Sequence, residues 1–294
     1  WAQAGRAAAS SRAAQQGRNR RFIRVTGALS AGAPGVVPDN PAMPLAPRFL
    51  AIETSTDTLS LALGTGAAGD GAQTHEGPGG AQASTTLLPR ARDLLGQAGV
   101  RLSELDAIVF GRGPGSFTGL RTACAVAQGL AYGSRSATHP QGLPVLAVDT
   151  LLALAEQARA AHATDGGREP GHIVALLDAR MDEVYVAVYA LDGDRLREVE
   201  PPRLCAPADL APWLAATGLS ADRTLLAGNV FDVYAAALRD LPGQRRHALP
   251  TAGALLRLAA GLLAAGAAVA ARDALPLYVR DKVARTTAER EGTA

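Results

Sequence analysis

The sequence predicts an α/β protein with mixed sheets, and three observations predict it. Short apolar runs of strand length alternate along the chain with longer Ala- and Leu-rich stretches at helical spacing. Residues 49–63 and 173–189 share one plan: an apolar strand, an acid at its end, a polar turn and an alternating strand. They mark two related halves. Between them, Gly111-Arg112-Gly113-Pro114-Gly115-Ser116-Phe117-Thr118-Gly119-Leu120-Arg121 joins a strand to a helix through a glycine loop.

Residues 1–47 are Ala, Arg, Ser, Gly and Pro with little apolar periodicity and read as a disordered or non-native extension. Trp1 stands in place of Met, and Met43 precedes the first apolar run. That points to an over-extended start rather than to targeting. Phe49-Leu50-Ala51-Ile52 is a strand, residues 53–58 a polar turn and Leu59-Ser60-Leu61-Ala62-Leu63 the returning strand. Ser84 to Ala98 carries Leu87, Leu88, Ala91, Leu94 and Leu95 on one helical face, with Pro89 in its first turn or at a kink.

Ala107-Ile108-Val109-Phe110 is the strand before the glycine joint, and Thr122 to Tyr132 the helix after it. Ser116 is placed as its N-cap and Gly133 closes the far end. Val145–Val148 is a strand, and Thr150 to Ala163 a helix with Leu151, Leu154, Ala155 and Ala158 inward. Residues 165–171 are a loop. Ile173 to Leu177 is a strand ending at Asp178, and Val184, Val186 and Val188 alternate in the strand that returns. Leu225–Asn229 is a strand into a glycine turn. Helices over Phe231–Arg239 and Ala252–Ala270 and an apolar segment at residues 275–280 complete the pattern.

Composition bounds the function. The chain has 294 residues, 48% hydrophobic and 4% aromatic, so its core is built from Ala, Leu and Val. No run reaches the ~18 apolar residues of a membrane span. The two cysteines form no metal or redox spacing, which fits a reducing, cytoplasmic compartment. The five histidines form no HxxxH or HExxH pair, so no metal site is expected. Beyond residue 48 there are 22 basic against 26 acidic side chains. This part lacks the basic field of a self-sufficient nucleic-acid binder.

The glycine joint admits two readings. A glycine loop feeding a helix N-terminus is a generic anion site, and the turn at Glu53, Thr54 and Ser55 offers an acid and hydroxyls to a phosphate. With Gly113, Gly115, Ser116, Asp178 and Gly228, these residues form a candidate nucleotide or phosphate site. The joint lacks a P-loop lysine and is not GxGxxG. The other reading is a tight turn whose hydroxyls satisfy its own backbone. The stripe Gly119, Ala123, Ala127 and Ala131, at four-residue spacing, has almost no side chain. It packs against the protein's own sheet or, with Leu87 and Ala91, forms a subunit surface.

Together, Leu50-Ala51-Ile52-Glu53-Thr54-Ser55-Thr56, Leu87-Leu88-Pro89, the Gly111–Arg121 string, Asp178-Ala179-Arg180-Met181-Asp182-Glu183-Val184-Tyr185 and Pro276-Leu277-Tyr278-Val279-Arg280 resemble the TsaB (YeaZ) family over about residues 48–285. The resemblance implies two related actin-like, sugar-kinase-like domains, at 48–148 and 149–272. A C-terminal segment at 273–294 packs back on the first domain and ends in a tail.

It also implies a non-catalytic partner of TsaD that is required for threonylcarbamoyladenosine in tRNA, on the adenosine 3′ of the anticodon. The partners implied are a TsaD-like subunit and a TsaE-like ATPase, with a homodimer when the protein is alone and tRNA contacted mainly through the complex. No cofactor of its own is implied, and ATP would bind at the complex interface. The catalytic relative carries its HxxxH metal pair where this chain has Thr150 and Leu154, and neither replaces an imidazole ligand. The site residues from Glu53 to Gly228 are then vestigial. The alternative is an ATP-dependent phosphotransferase or hydrolase acting in its own cleft. An association with metallopeptidases finds no metal-binding cluster in this sequence.

Overall fold

The structure is a computed structural model and describes residues 46–280 apart from 68, 137 and 138. The chain divides into two units, Trp1–Pro44 and Leu45–Ala294, and every described residue lies in the second. The extension expected at 1–47 lies outside the described residues but for its last two.

The first sheet holds β1 (Phe49–Glu53), β2 (Thr58–Gly64), β3 (Gln73–Pro78), β4 (Ala107–Gly113) and β5 (Val145–Asp149), in the order β3-β2-β1-β4-β5. β1 pairs antiparallel with β2 and parallel with β4. The second sheet holds β6 (His172–Arg180), β7 (Glu183–Asp192), β8 (Arg195–Cys205), β9 (Thr224–Gly228) and β10 (Gln244–His247), in the order β10-β9-β6-β7-β8. β6 pairs antiparallel with β7 and parallel with β9. The two sheets thus repeat one topology: a meander of three strands, then two parallel strands beyond the first. This is the duplicated plan of actin-like folds.

The helices are α1 (Ala83–Ala98), α2 (Phe117–Gly133), α3 (Thr150–Thr164), α4 (Leu210–Thr217) and α5 (Ala252–Ala264). α1 and α2 cover one face of the first sheet, where Leu87, Ala91, Ala123 and Ala127 meet Ile52, Leu61 and Phe110. The opposite face, with Phe49, Ala51 and Val109, packs on α5 through Ala252, Leu255 and Leu256. α3 lies on the second sheet, setting Leu151, Leu154 and Ala158 against Ile173, Ala175 and Tyr189. The remaining face of that sheet takes Leu210 and Leu214 of α4, with Val230 and Leu238. Each strand with helices on both faces reads as a continuous apolar run, which is why β1, β4, β6 and β9 are legible in the sequence.

Several elements differ from the sequence reading. β3 and β8 are edge strands with polar, half-exposed residues, so no apolar alternation marks them. Pro89 lies inside α1 rather than in its first turn, which leaves the Thr85 carbonyl without its helical N–H donor. Gly133 is the last residue of α2, and Ser134 caps it by donating its N–H to the Leu130 carbonyl at 3.0 Å. The helix expected over Phe231–Arg239 is a run of turns. Its aromatic, Asp and β-branched start has modest helix propensity. α5 stops at Ala264 because Gly266 turns left-handed and Val269 pairs with Val145.

Candidate functional site

The two meander turns and the glycine joint surround a cleft of about 330 Å³. β1 ends at Glu53, which lies behind the cleft lining, against Gly111. The Glu53 carboxyl is buried; Oε1 accepts from the Ser55 N–H at 2.6 Å and Oε2 has no hydrogen-bond partner. Burial pushes this carboxyl above its ordinary value, against the opposing pull of the Ser55 N–H bond.

The joint's glycines face the chain's own atoms. A Cβ on residue 111 would lie 1.9 Å from Glu53 Oε2, on residue 115 2.5 Å from the Ser55 carbonyl, and on residue 119 1.8 Å from the Thr54 carbonyl. The Ser116 N–H donates to the Ser55 carbonyl at 2.7 Å, and Thr54 Oγ1 donates to the Gly119 carbonyl at 2.8 Å. Gly113, at φ 123°, makes room for the Leu277 carbonyl. Ser116 caps α2, its Oγ accepting from the Gly119 N–H at 3.4 Å. The close backbone approach announced by the glycine loop is therefore an approach between two parts of one chain.

Across the cleft, β6 delivers Asp178. Its Oδ1 accepts from the Arg180 N–H and the Tyr234 hydroxyl, both at 2.9 Å, and its own N–H donates to Asn229 Oδ1 at 2.8 Å. Burial, then the bond to Asp178, pushes the Tyr234 phenol up to about 12. The Arg180 guanidinium sits 3.3 Å from Asp178 and 2.7 Å from Asp57 on the opposite turn. Gly228 lies on β9 where a Cβ would meet the Leu176 carbonyl at 1.7 Å. Of the residues expected at the site, Ser55, Gly115 and Ser116 line one wall and Asp178 the other, whereas Glu53, Thr54, Gly113 and Gly228 do not line the cleft and pack against the chain's own atoms. Sequence reasoning did not single out Asp57, Tyr234 or Asn229, because their contacts with Arg180 and Asp178 join positions 123, 56 and 51 residues apart.

The expected subunit surface needs correction. Leu87, Ala91, Gly119, Ala123, Ala127 and Ala131 are all buried inside the chain. Small side chains let α2 lie close on the first sheet and on the Thr54 backbone, so this stripe serves the protein's own core. The outward face of α2 carries Arg121, Ala125, Gly129 and Tyr132, the last 60% exposed.

Thr150 and Leu154 are both fully buried, Leu154 among apolar side chains, and they do not fit a metal. Among the described residues no group of three or more His, Cys, Asp or Glu could hold one. None of the described helices is long and apolar enough to cross a membrane.

Duplicated sheets, a cleft between their turns and acids engaged by neighbouring groups define an actin-like protein whose cleft is held by its own side chains. The family model for the tRNA N6-adenosine threonylcarbamoyltransferase, TsaD, matches residues 72–286. The chain is 32% identical to the tRNA threonylcarbamoyladenosine biosynthesis protein TsaB of Haemophilus influenzae, over 80% of this chain and 94% of that protein. It is 33% identical to the TsaB of Escherichia coli, over 81% and 96%. The solved structure of YeaZ from Pseudomonas aeruginosa superposes with a TM-score of 0.66 at 36% identity, covering 79% of this chain and 99% of that one. The chain belongs to the TsaB (YeaZ) family.

Proposed function

We propose that this protein acts in forming threonylcarbamoyladenosine in tRNA, on the adenosine 3′ of the anticodon, as a non-catalytic partner of a TsaD-like subunit that a TsaE-like ATPase joins. The observation that carries this reading is the state of the two acids that end β1 and the apolar run of β6. Glu53 is buried against Gly111 and does not line the cleft, and Asp178 is committed to Tyr234 and Arg180. Neither stands free as a general base. The described fold also lacks a metal-binding group of side chains, so the metal and the transfer chemistry belong to the partner. A partner acts by binding the competent conformation of the enzyme more tightly than the other, and only to that extent. The partner also supplies most of the tRNA-phosphate contact, since the chain beyond residue 48 is net acidic. In this reading the protein carries no cofactor of its own, and ATP binds at the complex interface.

Reconstitution tests it, with a TsaD-like subunit, a TsaE-like ATPase, a source of threonylcarbamoyl-AMP, ATP and unmodified tRNA. Omitting this protein should remove most product, whereas Glu53→Gln with Asp178→Asn should leave most of it. If the double variant still assembles with its partners but product is lost, the cleft does its own phosphotransfer or hydrolysis and the partner reading fails.

A further inference from the structure

The last described residues, 275–280, run across the cleft as a strap. One end is fixed to the glycine joint. The Leu277 N–H donates to the Arg112 carbonyl at 2.7 Å, and the Leu277 carbonyl occupies the space beside Gly113. The Tyr278 ring lies 5.4 Å from that of Phe117, and its hydroxyl accepts from Arg121 Nε at 3.0 Å. The Arg121 guanidinium in turn lies 3.6 Å over the Phe117 ring, at the first turn of α2.

The other end is fixed to the β6–β7 turn. Arg280, its side chain 15% exposed, pairs with the Glu183 carboxylate. It also donates to the Arg180 carbonyl at 3.2 Å and to Met181 Sδ at 3.3 Å. That turn needs external support. Arg180, Met181 and Asp182 have φ of 60°, 58° and 59°, and left-handed backbone costs a non-glycine residue about 1 kcal/mol or more. Leu277 and Arg280 are three residues apart, and extended chain spans at most ~3.6 Å per residue. So short a link reaches at most about 11 Å, which limits how far its two anchored ends can part.

We propose that the strap is a tie coupling the first turn of α2 to the β6–β7 turn, with Tyr278 and Arg280 as its positioning residues. A ligand or partner that displaces either wall of the cleft then moves the other. This inference concerns the two ends of the cleft and stands apart from the function proposed above.

Hydrogen–deuterium exchange of the full chain tests it. Arg280→Met should speed exchange in the turn at 180–183. It should also do so by about fivefold or more at the Ser116 and Leu120 amides, to which Arg280 makes no hydrogen bond. Tyr278→Ala should speed exchange at the same two places. Faster exchange confined to the turn in Arg280→Met overturns the tie. So does an equal rise throughout α4 and β9, which marks global destabilisation. If Arg280→Met does not fold, Arg280→Lys, which keeps the charge and loses the planar fork, is read by the same two-site criterion.

Discussion

The carbonyl oxygen of Gly119 accepts the Thr54 hydroxyl at 2.8 Å, and the Thr54 carbonyl lies 1.8 Å from where a Cβ on residue 119 would stand. The first turn of α2 is thereby laid on the turn that follows β1, 65 residues earlier in the chain. Neither backbone can move away without losing a buried hydrogen bond.

Gly119→Ala should therefore destabilise the protein by about 3 kcal/mol or more, since the intruding methyl meets backbone and not a flexible side chain. Gly129→Ala, in the same helix with nothing within 4 Å, should stabilise it by about 0.5–1 kcal/mol through helix propensity. Urea midpoints of the two variants check both signs. Equal midpoints would contradict the packing described here.

Ala127→Arg should unfold the protein or lower its melting temperature sharply, because residue 127 is buried against the first sheet and an arginine there has no partner. Ala125→Arg, on the exposed face two residues earlier, should change stability by no more than about 0.5 kcal/mol. In a pull-down with a TsaD-like subunit, loss of binding in Ala125→Arg with an unchanged melting temperature would place the contact on the outward face of α2.

The pH dependence follows from Glu53. Its folded pKa is raised above the ordinary 4.5, so between those two values the folded state holds the extra proton. The contribution of this group is full below 4.5, falls as pH rises through the window, and levels off above the folded value. Glu53→Gln keeps the shape without the titration. The difference in unfolding free energy between wild type and variant should shift in the variant's favour as pH rises through the window. A difference that stays flat across pH would mean the carboxylate is not disfavoured by the fold.

Asp57→Asn should be nearly silent in stability, within about 1 kcal/mol, although it breaks a 2.7 Å ion pair across the cleft mouth. The partners' side chains are 83% and 70% exposed, and water screens what they gain. A melting temperature insensitive to both the substitution and added salt checks it.

Much of the architecture was legible because its elements bury both faces. β1, β4, β6 and β9 are unbroken apolar runs, α3 keeps its apolar spacing, and Ser116 caps α2 as its hydroxyl and position predict. The repeated strand–acid–turn–strand plan likewise announced two sheets built alike. These features are local: periodicity, propensity and capping are set by residues a few positions apart.

The tertiary structure decided the rest. It assigned the bare stripe of α2 to the protein's own sheet, placed α5 on the first sheet although it follows the second in sequence, and filled the space beside the joint's glycines with Glu53, Ser55, Thr54 and Leu277. A glycine records that something must come close, but not what. Whether that neighbour is a phosphate, a subunit or the protein's own backbone depends on contacts between distant positions, and only the folded chain brings those together.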